Sequence, residues 1–80
     1  MQLQLLYFAA LRDLAECSEE TFHSAASNPT VSTLCDEVQK AHPRLSFVGV
    51  RVAVNEEFVD SAFVLGAGDV VAFIPPVSGG

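Results

Sequence analysis

Apolar and polar residues alternate from the second position of the chain: in Gln2-Leu3-Gln4-Leu5 the leucines fall to one side and the glutamines to the other. This period of two predicts a strand over Gln2–Phe8, with Leu3, Leu5 and Tyr7 on its inner face. The other face turns apolar at Leu6 and Phe8, a pattern that suits either a second small core beneath a loop or an exposed contact patch. Good helix formers over Ala9–Glu16 predict a short helical turn, and Glu19–Ser24 a second strand returning antiparallel to the first.

The period then lengthens. Val31, Leu34, Cys35 and Val38 recur at helical spacing behind Thr30, whose hydroxyl suits an N-cap, so a helix is expected over Val31–Ala41 with Cys35 in the core. His42-Pro43 stops it, because proline drives the residue before it out of helical conformation. Val48, Val50, Val52 and Val54 restore the period of two and share a face. Asn55-Glu56-Glu57 reads as a tight turn into a short strand carrying Phe58, and Gly66 and Gly68 punctuate the chain before a last strand, Val70–Ile74. Alternation in that strand admits either Phe73 or Ile74 on the helix side.

This order is α+β, a mixed sheet with one main helix packed on one face. With a helix between the second and third strands, pairing the last strand parallel to the first is the compact solution, and Leu6, Phe8 and Pro75 then emerge at one end of the sheet. Residues 1–74 make the domain and 75–80 an extended tail. Pro75-Pro76 donates no backbone hydrogen bond and stiffens the path outward, and the tail spans up to ~20 Å when extended. Gly79-Gly80, at its end, specifies almost no structure, so it is either a frayed end or a working part held by something outside the domain.

Composition excludes several functions. A net charge of −6, with Arg12, Lys40, Arg44 and Arg51 dispersed, argues against nucleic-acid binding and against a phosphate pocket belonging to this chain. No apolar run approaches the ~20 residues of a membrane span, and without an export signal the chain is expected in the cytoplasm. Cys17 and Cys35 are too far apart for a CxxC motif and are expected as free thiols; with His23 and His42 they show no metal-ligand spacing.

The stretches YFAALRD (from Tyr7), AVNEEFV (from Ala53) and GDVVAFIPPVSGG (from Gly68) resemble the small subunit of molybdopterin synthase, in order and over essentially the whole chain. The resemblance implies a ubiquitin-like β-grasp fold and a sulfur carrier. Its C-terminal carboxylate, here that of Gly80 beside Gly79, would be adenylated with ATP by a ubiquitin-activating-type adenylyltransferase and given sulfur by a sulfurtransferase. The resulting thiocarboxylate would serve cyclic pyranopterin monophosphate on a large subunit, in a heterotetramer of two small and two large chains. No cofactor would be bound by this chain itself. Partner contacts are expected at Phe8, Phe58, Ile74, Pro75, Pro76, Val77 and Ser78. Carriers for thiamine or tRNA thiolation, and ubiquitin-like protein modifiers, share the Gly-Gly end and stand as alternatives.

Overall fold

In the computed structural model, which describes residues 1–76, the chain runs β1 (Gln2–Tyr7), α1 (Ala10–Ala15), β2 (Glu19–His23), α2 (Val31–Ala41), β3 (Arg51–Val54), β4 (Glu57–Val59) and β5 (Val70–Ile74). The sheet order is β2-β1-β5-β3-β4. β1 and β5 are parallel, from Gln4 opposite Val70 to Tyr7 opposite Phe73, and every other pairing is antiparallel. This is the ubiquitin-like β-grasp arrangement expected above.

α2 lies on one face only. Leu34 and Val38, from the helix, share a core with Leu3, Leu5 and Tyr7 of β1, Val52 and Val54 of β3, and Val71 and Phe73 of β5. Phe73, not Ile74, therefore faces the helix, and it is fully buried. Its ring stacks on Tyr7 at a centroid distance of 5.7 Å and meets Phe47 edge-on at 5.1 Å. The Tyr7 hydroxyl donates to Glu20 (2.6 Å), which also pairs with the His42 ring (2.8 Å), so the polar end of this aromatic cluster is satisfied. Burial, and then the Glu20 carboxylate, push the Tyr7 phenol well above its ordinary pKa.

A helix begins with N–H groups that have no partner within it. Here the Val31 and Ser32 N–H groups donate to the carbonyls of Phe63 and Ser61, both at 3.0 Å, and that of Thr33 donates to the Thr30 hydroxyl at 3.2 Å. Thr30 caps α2 as expected, while the segment after β4 supplies the rest and brings Leu65 into the core. The β3–β4 turn takes positive φ at Asn55 and Glu56 (50° and 73°), the backbone of a tight hairpin. Asn55 then ties the hairpin to β5: its amide donates to Asp69 and its carbonyl oxygen accepts from the Val70 N–H, both at 3.0 Å.

Three expectations need correction. β1 ends at Tyr7, so Phe8 lies just beyond the strand. Val48 does not share the face of Val50, Val52 and Val54; it is 86% exposed at the corner of a turn closed by the Val50 N–H donating to the Phe47 carbonyl (3.1 Å). A glycine at the third position of that turn, Gly49 at φ 74°, ends the alternation there. Cys35 is half-buried at the margin of the core, because the edge strand β4 is too short to cover it. Among the described residues no helix is long and apolar enough to cross a membrane.

Candidate functional site

The pleat that sends Leu3, Leu5, Tyr7, Val71 and Phe73 into the core sends Leu6, Ala72 and Ile74 to the opposite face, which no described helix covers. Strand register sets their neighbours. Leu6 lies opposite Ala72, Ala72 opposite Ala53, and Ala53 opposite Phe58, so one apolar row crosses four strands. At ~4.8 Å per strand the row is about 14 Å long. Ile74 lies opposite Arg51 in the next row, toward the end where Phe8 leaves β1.

Phe8 and Phe58 stand out from this face, 47% and 54% exposed. Two local features hold them there. The Phe8 N–H donates to the Phe73 carbonyl (3.3 Å), and Ala9 then turns the chain at φ 49°, a conformation that costs a Cβ-bearing residue about 1–3 kcal/mol. At the other end the Arg51 guanidinium lies over the Phe58 ring, 3.8 Å from its centroid. Phe8 is thus at the surface and Leu6 half-buried beside it, so their alternation does not mark a second core. Within the row from Leu6 to Phe58 the large side chains are at the ends, because Ala53 and Ala72 keep the middle low.

Phe8, Phe58 and Ile74 therefore share one face, and Pro75 and Pro76 continue from its rim. Val77, Ser78, Gly79 and Gly80 lie outside the described residues. Arg51, Ala53, Ala72 and Gly49 are the members of this region that the sequence reading did not single out. Arg51 is the one with a signal, since it is the only cation within a strand among the described residues.

A cleft of about 580 Å³ opens between α2 and the β3–β4 edge, with Cys35 on its wall. Burial, then the Asp36 charge, raises the Cys35 thiol to about 11, and burial followed by Glu20 and Glu16 raises Cys17. A thiol with a raised pKa is protonated below that value, so the cleft presents no thiolate at neutral pH. Alkylation of Cys35 in the native protein at pH 8 is expected to run at least about tenfold slower than in the denatured chain and to accelerate as pH rises toward 11. Peptide mass mapping checks this, and equal rates in both states would refute it. Among the described residues no group of three or more His, Cys, Asp or Glu side chains is placed to hold a metal ion.

Residues 5–80 match the ThiS family. The chain is 35% identical to the molybdopterin synthase sulfur carrier subunit of Mycobacterium tuberculosis, covering 100% of this chain and 99% of that one. It is 39% identical to the protein of the same name from Chlamydomonas reinhardtii, with 100% of both covered. Among solved structures, SAMP1 of Haloferax volcanii superposes over 100% of both chains with a TM-score of 0.86 at 26% identity.

Proposed function

The chain belongs to the ThiS family, and on that premise we propose that it is the sulfur carrier subunit of a molybdopterin synthase. The Gly80 carboxylate is the reacting group and the uncovered sheet face is the docking surface for the large subunit. A carboxylate is ionised at neutral pH, with a reference pKa of about 3.5, and is a poor acyl donor until its oxygen is made a leaving group. Adenylation by an activating enzyme expels pyrophosphate from ATP; the terminal sulfur of a sulfurtransferase persulfide then displaces AMP, and a second thiol cleaves the resulting S–S bond, releasing the thiocarboxylate and leaving a disulfide on the donor. With no Cβ at Gly79 or Gly80, this terminus can thread a narrow channel and present its sulfur to the pterin precursor held by the partner.

One observation in the geometry carries the reading: the apolar face bearing Phe8, Phe58 and Ile74 borders the exit of the segment that leads to Gly80. Ordering that segment costs about 1–2 kcal/mol per residue in backbone entropy, whereas fully burying each large apolar side chain returns about 1.5–3 kcal/mol. A docking face beside the tail supplies that return where it is needed.

A second reading, a ubiquitin-like modifier, is favoured by the TM-score of 0.86 to SAMP1, whose full name is small archaeal modifier protein 1. Intact-protein mass after co-expression with the activating enzyme and sulfurtransferase separates the two. A sulfur carrier gains about 16 Da, the difference between sulfur and oxygen. A modifier appears as heavier conjugates on lysines, and a chain that remains unmodified beside demonstrably active enzymes would sink both.

A further inference from the structure

We infer that the Phe47–Val50 turn is a positioning element for the C-terminal segment, with Gly49 setting the direction in which the chain leaves the sheet. This rests on the carrier reading above. The β3–β5 ladder ends at Ile74 opposite Arg51, and Pro75 and Pro76 have no N–H with which to continue it. What Pro76 meets instead is Gly49. A Cβ built there would lie 3.3 Å from Pro76 Cγ, 3.6 Å from its Cβ and 3.8 Å from its Cδ, so the proline ring already fills the place of a side chain. The turn has a firm base, because Phe47 at its start packs edge-on against Phe73, two strand positions before Pro75.

Gly49 thus meets two demands. Its φ of 74° favours glycine whatever stands nearby, and its bare Cα lets the proline ring come close. Gly68 separates them: it has φ 83°, and a Cβ there would meet nothing within 4 Å. Gly68→Ala therefore carries the backbone strain without the collision. An alanine at position 49 carries both, and the ring must give way by a few tenths of an ångström. With the reacting carboxyl four residues beyond Pro76, that displacement is carried along an arm of up to ~14 Å. Fixing the first residues of the arm also leaves fewer conformations to be lost on docking.

The test compares wild type, Gly49→Ala, Gly68→Ala, Pro76→Ala and the Gly49→Ala/Pro76→Ala double variant, all as full chains. Two readouts are taken: amide chemical shifts of residues 77–80 in the free carrier, and sulfur transfer from semisynthetic thiocarboxylates to precursor on the large subunit. Both glycine variants should lose melting temperature, Gly49→Ala at least as much as Gly68→Ala. Only Gly49→Ala should move the tail shifts and slow transfer, on the order of tenfold, given that a ~1 Å misplacement can cost ~100-fold. The double variant, lacking the Cγ that collides, should return to the behaviour of Pro76→Ala alone.

An equal loss of transfer in Gly68→Ala, no rescue in the double variant, or unchanged transfer by Gly49→Ala would each overturn the inference. If wild-type thiocarboxylate itself fails to transfer sulfur, the carrier reading is what falls. The chemical shifts still decide the contact in that case: movement in Gly49→Ala beyond that in Gly68→Ala supports it, and equal shifts refute it.

Discussion

One alanine added after Gly80, or loss of Gly80, is expected to abolish sulfur delivery while leaving the thermal melt almost unmoved. Residues past the last ladder contribute little to folding, and β5 makes its final pairing at Ile74. The chemistry has no such tolerance. Either change moves the reacting carboxyl by ~3.5 Å, where even ~1 Å can cost about 100-fold. Two steps can fail, adenylation or delivery. Semisynthetic thiocarboxylates of both variants, mixed with large subunit and precursor, bypass the first and report the second alone. Delivery at the wild-type rate from the thiocarboxylate of the extended chain would mean that the partner does not fix the position of the reacting carboxyl, and the assignment of that role to Gly80 would fall with it.

Phe8→Asp is expected to weaken association with the large subunit by at least about 100-fold while the domain still melts cooperatively. Loss of the buried ring forfeits about 1.5–3 kcal/mol, and a carboxylate stranded at an apolar interface adds a desolvation penalty of several more. At 1.36 kcal/mol per tenfold the sum exceeds two decades. The fold should survive because Phe8 is 47% exposed and lies past the end of β1. Phe58→Asp should do less harm, since the Arg51 guanidinium now over the Phe58 ring stands ready to neutralise the new charge. Calorimetric titration of each variant with the large subunit measures both effects. Wild-type affinity for Phe8→Asp would remove that residue from the docking face, and a lost melting transition would return it to the core.

Where one signal governed an element, the sequence was enough to place it. Thr30 ahead of a helical stripe and Pro43 behind it placed α2 from Val31 to about Ala41, and alternation together with the crossover rule gave the parallel pairing of β1 with β5. The errors fall where two signals compete. Val48 fits the alternation of the valines after it, but Gly49 beside it takes a positive φ, and the turn prevailed over the pattern. Cys35 fits the helical stripe, yet its burial depends on the length of a strand distant in sequence. The face of β5 was undecidable from Val70–Ile74 alone, where apolar residues occupy both sides of the pleat; the ring cluster of Tyr7, Phe47 and Phe73 settles it. As for the site, the tail was legible because proline and glycine act locally. That Phe8, Phe58 and Ile74 share a face was not, because it depends on ladder registers that bring together residues far apart in the chain.

The position of β5 also has a mechanical consequence. The strand that carries the tail is the middle one, held by β1 on one side and β3 on the other. Its neighbour β1 begins at the opposite terminus and runs in the same direction. Tension applied between the tail and the N-terminus therefore draws these two strands past one another lengthwise, and the rungs of their ladder share the load at the same moment. An antiparallel pair pulled apart from one end would instead open one rung at a time, like a zip. The domain is thus built to be pulled by the end of β5 without unravelling.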